Sequence, residues 1–168
     1  VPFYTMEIVS GTDLTEARLD AAQTRVVLAD LAQVLGYLHA RGYVHADVSP
    51  GNVRRLADGR LKLMDFGLME RLGTPSNGDL TGTAGYMPPE VPRGGMISAA
   101  SDLYSVGCLA YELITGHLPF EGDFLSVVRA QTMQPPKPLG RFRADIPPAL
   151  ETWVARLLEK DPRRRFQE

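Results

Sequence analysis

The fold class predicted by this sequence is mainly α-helical with short β-strands, on three observations. Apolar side chains recur with a 3.6-residue period over 24–40, and the stretch 101–115 is apolar almost all round. The strand-like runs are brief and end at Gly, Asp or Ser. A chain of 168 residues with 44% hydrophobic content is long enough to bury one core, which predicts a single domain over 1–168.

Taken in order, FYTMEIV at 3–9 is aromatic and β-branched and stops at Ser10 and Gly11, the pattern of a short buried strand entering a turn. Val27, Leu28, Leu31, Val34, Leu35 and Leu38 then mark a helix over 24–40 that Gly42 terminates. Residues 53–56 and 60–64 flank Asp58-Gly59, whose positive-φ tolerance predicts a tight hairpin. From 68 to 87 there is little periodicity and much Gly, Ser, Thr and Pro, which predicts a long mobile loop, and loops of that length in compact domains usually carry function. SDLYSVGCLAYELIT at 101–115, with Ser101 or Asp102 as N-cap and Gly116 as terminator, predicts a central buried helix. A surface loop is expected over the Pro-rich 135–148, and a last helix over 149–158 before Asp161-Pro162.

A net charge of -2 and pI near 5.9 argue against a nucleic-acid surface, since Arg163–Arg165 alone is too short for a basic patch. The single cysteine, Cys108, rules out an internal disulfide and a CxxC metal site and reads as a core residue. No apolar run approaches ~20 residues, and no export leader is evident, so cytoplasmic location without membrane contact is expected. Lysine is scarce beside arginine, with Ala, Gly and Pro abundant, a composition typical of GC-rich bacterial genomes.

The chemistry sits in HADVSPGN at 45–52, followed by Asp65-Phe66-Gly67 beyond the hairpin. One carboxylate to take a hydroxyl proton, with an amide oxygen and a second carboxylate to hold magnesium, is the minimum set for moving a phosphoryl group from ATP. A lone His-x-Asp is weak, and His45 itself reads as a packed core residue. The order is more telling: His45, Asp47, Asn52, Asp65-Phe66-Gly67, then GTAGYMPPE at 82–90, then Asp102 opening a buried helix.

In that order the chain resembles the C-terminal lobe of the eukaryotic-like, bacterial-type serine/threonine protein kinases, whose signatures include HRD with a following Asn, DFG and APE. The resemblance covers essentially all of 1–168 and implies the hinge and large lobe of the kinase fold, truncated in the last helix, with the N-terminal lobe absent. It implies that Asp47 is the catalytic base, that Asn52 and Asp65 hold Mg²⁺ against the ATP phosphates, and that Thr83 contacts Asp47 and shapes the acceptor pocket. It also implies a hinge at 4–14, with Met6 as gatekeeper, the backbone of Glu7 and Val9 at the adenine edge, and Asp13 at the ribose. Thr83 and Pro50 fit a serine or threonine acceptor on a protein substrate. Glu90 and Arg165 match a structural ion pair, and Asp102 matches the residue that fixes the catalytic-loop backbone, although a plain N-cap is an equal reading of Asp102 from sequence. Thr74, Ser76 and Thr81 are possible regulatory phosphate acceptors.

Three positions depart from the family. Ala46 replaces the arginine that pairs with a phosphorylated loop residue, which predicts a kinase that switches on without loop phosphorylation. Ser49 stands for the lysine that faces the transferring phosphate, and Arg54 occupies the place of an apolar residue under the adenine, where its guanidinium either stacks or spoils the pocket. No glycine-rich loop or strand lysine precedes Val1 in this sequence, so the 168 residues alone are expected to be inactive. Two other functions stay open: a pseudokinase that binds ATP or acts as a scaffold, motivated by Ser49 and Arg54, and a small-molecule phosphotransferase, whose known forms lack a segment like GTAGYMPPE.

Overall fold

A computed structural model describes residues 7–15, 19 and 21–167. Its strands are β1 (Thr12–Asp13), β2 (Tyr43–Val44), β3 (Val53–Arg55), β4 (Leu61–Leu63) and β5 (Glu70–Arg71), and its helices are α1 (Ala21–His39), α2 (Ala99–Thr115), α3 (Phe124–Met133) and α4 (Pro148–Leu157). The mainly helical class with short strands is therefore as expected. The strands form an antiparallel sheet in the order β1-β3-β4 and a separate two-stranded pair, β2-β5.

The stripe of α1 buries Val27, Leu28, Leu31 and Leu35, each at most 6% exposed, and its last turn closes with the Gly42 N–H on the His39 carbonyl. The β3–β4 hairpin turns at Gly59, φ 86°, in the register Val53↔Leu63, Arg54↔Lys62, Arg55↔Leu61. Of the strand expected over 3–9, residues 3–6 and the gatekeeper Met6 lie outside the described residues. Glu7 to Val9 are not in a strand, and among the described residues the first pairing is at Thr12, where β1 joins β3. Gly11 permits this docking: at φ 155° a Cβ there would stand 2.5 Å from the Arg55 carbonyl oxygen.

The central helix α2 packs against α1 and α4 and is buried on nearly every turn, Tyr104, Cys108, Leu109 and Ala110 being fully enclosed. It begins two residues before the expected start. Ser98 is its N-cap, with the Ser98 N–H on Ser101 Oγ at 3.1 Å, and Gly116 at φ 76° ends it. Gly107 is the contact point with α4, because a Cβ there would lie 2.8 Å from the Leu157 Cβ. The last helix runs one residue earlier than expected.

Two segments are more structured than their sequences predict. The stretch 68–87 contains β5 and a 3-10 turn at Ala84–Tyr86, and it pairs by backbone with 95–97 through Gly73 N–H on Ile97 O, Ile97 N–H on Thr74 O, and Ser76 N–H on Gly95 O. The Pro-rich connection is no simple surface loop, since Leu139, at 2% exposure, anchors it in the core. Helix α3 went unpredicted altogether. Among the described residues no helix is long and apolar enough to cross a membrane.

Candidate active site

Asp47 stands in the loop between β2 and β3, and its carboxylate is held at both oxygens. Asn52 donates Nδ2–H to Asp47 Oδ2 and to the Asp47 carbonyl, each at 2.9 Å. The other oxygen, Oδ1, accepts the Thr83 backbone N–H at 3.2 Å. Thr83 thus meets Asp47 through its main chain, and its side chain is exposed. Gly82 lets the segment come this close, since a Cβ there would sit 3.1 Å from Asp47 Oδ1.

The loop carrying Asp47 is fixed from beneath by Asp102, which is wholly buried on α2. Asp102 accepts the His45 N–H and the Ala46 N–H, both at 2.9 Å, and lies 2.7 Å from His39 Nε2. Of the two roles the sequence allows for Asp102, the structure therefore selects loop anchor, Ser98 having taken the cap. Ala46 has φ 66°, a conformation that costs an L-residue about 1–2 kcal/mol and that the two amide bonds to Asp102 hold in place.

His45 is buried, as the sequence predicted, but it does more than fill space. Its Nδ1 accepts the Asp47 N–H at 3.3 Å and its Nε2 lies 2.9 Å from the Met64 carbonyl, which assigns the proton to Nε2. Met64 in turn donates its N–H to the Asn52 carbonyl. The imidazole thereby ties the Asp47 loop to the end of β4, one residue before Asp65.

Asp65 is itself left-handed, φ 57°, and exposed, with Oδ1 accepting the Gly67 N–H at 3.2 Å. Phe66 packs edge-on against His45, ring centroids 5.2 Å apart. With its Nδ2 donating to Asp47, the Asn52 amide has its oxygen as the donor that could face a cation, and Asp65 is a carboxylate that could join it. No cluster of three or more His, Cys, Asp or Glu that could cage a metal occurs among the described residues. Hard oxygen donors in small number suit Mg²⁺, which keeps waters and substrate phosphates in its shell, and do not suit a caged transition metal.

The remaining expected nucleotide contacts lie on the β1-β3-β4 side. Glu7 is exposed and pairs with Lys62, Val9 is half-buried, and Ser49 is buried with its carbonyl on the Asn52 N–H. Arg54 stacks on no aromatic face among the described residues and is turned toward the 11–13 segment: its Nη1 is 3.4 Å from the Gly11 carbonyl and 3.6 Å from Asp13 Oδ2. A cavity of about 540 Å³ between α2, the Pro-rich connection and α4 is separate from all these groups.

Beside the site, GTAGYMPPE forms a fixed platform. Glu90 receives two bonds from the Arg165 guanidinium, at 2.7 and 2.8 Å, and one from Ser101 Oγ. Arg165 also donates to the carbonyls of Ala100 and Glu159, so every face of this wholly buried cation is engaged. Gln131 of α3, unforeseen from sequence and fully buried, donates Nε2–H to the Gly85 carbonyl and accepts the Tyr104 hydroxyl. Its only sequence signal is a polar residue on the apolar face of a helix that was itself missed.

Residues 3–167 match the protein kinase domain family. The chain is 35% identical to the serine/threonine-protein kinase PknB of Mycolicibacterium smegmatis, over 99% of this chain and 28% of that protein. It is 38% identical to the serine/threonine-protein kinase PknL of Mycobacterium tuberculosis, over 99% of this chain and 44% of that protein. A probable serine/threonine-protein kinase of Streptomyces coelicolor is 35% identical over 99% of the chain and 26% of its own length. The chain thus spans between about a quarter and under half of these relatives.

Proposed function

The chain belongs to the protein kinase domain family, and on that premise we propose that it provides the hinge and large lobe of a bacterial-type serine/threonine kinase, transferring the γ-phosphoryl group of ATP to a protein hydroxyl. The observation that carries this reading is the clamped Asp47 carboxylate, with the Asn52 amide and Thr83 N–H on its two oxygens. A carboxylate so oriented accepts the proton of an approaching serine or threonine hydroxyl while that oxygen attacks the γ-phosphorus and ADP leaves. Asn52 and Asp65 would hold Mg²⁺, which when bound neutralises charge developing on the phosphates.

The platform at 82–90 favours a peptide acceptor, because Glu90, Arg165 and Gln131 give it a rigid buried underside rather than a free loop. Glu7 and Val9 at the hinge, with Asp13, supply the contacts assigned to ATP. Ser49 places a short neutral side chain where the family has a lysine, so the charge facing the γ-phosphate has to come from elsewhere. The 168 residues by themselves are proposed to be inactive, because the family's glycine-rich loop and strand lysine are not among them.

The test is Asp47→Asn in the intact natural protein. Loss of about 10²–10⁴ in kcat for phosphorylation of a protein substrate, with Mg–ATP still bound, is the expected result. Unchanged kcat removes Asp47 from the reaction, and an intact protein that binds Mg–ATP but never transfers phosphate makes it a binding module instead.

A further inference from the structure

Three successive carbonyls of the platform at 82–90 are held from beneath by side chains. Gln131 donates Nε2–H to the Gly85 carbonyl at 2.7 Å and to that of Ala84 at 3.4 Å, and Ser105 Oγ–H donates to that of Tyr86 at 2.8 Å. The neighbouring Thr83 turns its N–H to Asp47 Oδ1. Whatever orients the Gln131 amide therefore orients a turn that begins one residue from the Asp47 clamp.

The amide is oriented by a chain of donors that all point one way. The Lys160 ammonium has three N–H donors and no lone pair, so at 2.8 Å from the Tyr104 hydroxyl it can only donate. The hydroxyl proton is directed away from it, to Gln131 Oε1 at 2.5 Å in preference to the Gln131 main-chain carbonyl at 3.5 Å. With its oxygen committed to Tyr104, the amide aims its NH₂ group at Ala84 and Gly85. Tyr104 and Gln131 are wholly buried, so water does not compete for these bonds. A neutral amine at Lys160 breaks this order, because it carries a lone pair: the Tyr104 proton is then shared between Nζ and Oε1, and the amide loses its orienting donor.

From this arrangement we infer that Gln131 is a positioning residue for the protein acceptor, and that the charge on Lys160, passed through Tyr104, sets how firmly it holds the platform. The inference rests on the kinase reading, in which residues 82–90 seat the acceptor. Burial lowers Lys160 to about 8. The charged and titratable groups that bear on it are Tyr104 and Cys108 from α2, Arg165 beyond α4, Arg93 beyond the platform, and Glu159 next to it in sequence. Tyr111, Lys137 and Glu151 line the same cavity of about 540 Å³, through which its proton reaches solvent. Burial pushes Tyr104, Cys108 and Tyr111 up, and the arginines stay charged.

The experiment follows phosphotransfer by the intact natural protein from Mg–ATP to dephosphorylated casein, with KM for casein and KM for ATP read separately between pH 7 and 9.5. The casein KM is expected to rise about fivefold through pH 8, the scale of one hydrogen bond, while the ATP KM stays constant within about twofold. Lys160→Arg keeps a charged donor throughout and is expected to hold the casein KM at its value for pH 7. Tyr104→Phe cuts the chain and is expected to raise the casein KM about fivefold already at pH 7, with no further rise. A casein KM of the natural protein that is flat across pH 8, or that rises in step with the ATP KM, overturns the inference and leaves the kinase reading standing. Neither result needs a variant to fold. A rise that persists in a folded Lys160→Arg protein overturns it equally. Absence of phosphotransfer at every pH, with Mg–ATP bound, removes the kinase reading and the inference together.

Discussion

Asp102 and Ala46 show how one buried carboxylate sets the shape of a reactive loop. Ala46 is held at φ 66° by its own N–H and that of His45, both bonded to the Asp102 carboxylate. Asp102→Asn would present amide hydrogens to neighbours that are themselves donors. We expect it to destabilise the domain by about 2–3 kcal/mol in a denaturant titration and to lower kcat more than it weakens ATP binding. An unaltered unfolding midpoint would show that the loop holds its shape without this anchor. That Asp47, Asn52 and Thr83 come together was legible in the sequence, because the motifs that carry them follow one another in a distinctive order. That Thr83 reaches Asp47 through its main-chain nitrogen is a detail that residue identity does not carry. The link from His45 to Met64 was not legible either, because backbone acceptors leave no trace in residue identity. Nothing in the string foretold that Arg54 would turn toward Asp13, a choice made by strand register.

Among the elements, the segment 68–87 departs most from its sequence. Side-chain periodicity is absent there because its order comes from backbone pairing with 95–97, which any residue with an N–H can supply. The Ser76 hydroxyl is occupied too, bonded to the Val91 carbonyl at 2.9 Å. The ladder itself is made of backbone groups, and Ala46 has no cation to offer a phosphate on this segment. Replacing Thr74, Ser76 and Thr81 together by alanine in the intact protein is expected to retain most phosphotransfer activity, and a fall of tenfold or more would mean that a phosphate is required after all. Helix α3 was missed for a related reason: its ten residues are bracketed by Asp123 and a Pro-rich run, so its periodic window is too short to stand out. The α2–α4 contact makes a sharper test of packing. Gly107→Ala pushes a methyl to within 2.8 Å of the Leu157 Cβ and should cost about 1–3 kcal/mol, read from the unfolding midpoint.

Across the whole molecule, buried titratable groups set the alkaline stability. Desolvation lowers the Lys160 ammonium from 10.5 to about 8, and its Nζ donates to the Tyr104 hydroxyl. As pH rises through about 8 the folded protein sheds this proton while the unfolded chain keeps it, so stability should increase. Burial acts in the opposite sense on Cys108, raised from 9.0 to about 12, and on Tyr111, raised from 10.0 to about 12. The phenols of Tyr86 and Tyr104 are pushed up as well, in both cases chiefly by burial. Above pH 9 these groups ionise in the unfolded chain first, and stability should fall. Thermal unfolding between pH 7 and 11 should therefore pass through a maximum, which Lys160→Met removes by abolishing the rise. The general architecture was readable because α1 and α2 carry strong apolar patterns. How their ends are tied together was not.

The Glu90–Arg165 pair joins positions 75 residues apart, and Arg165 is enclosed on all sides. Arg165→Met would strand Glu90 without its cation and should cost about 3–5 kcal/mol. The same pair also imposes a timetable. At a synthesis rate of about 5–20 residues per second, the 75 residues between the two take roughly 4–15 s to emerge. Throughout that interval the nascent chain holds Glu90 with no arginine to meet it, and the substrate platform cannot close. The surface on which an acceptor peptide would rest thus matures only after the carboxylate at Asp47 and the helix beneath it have been made.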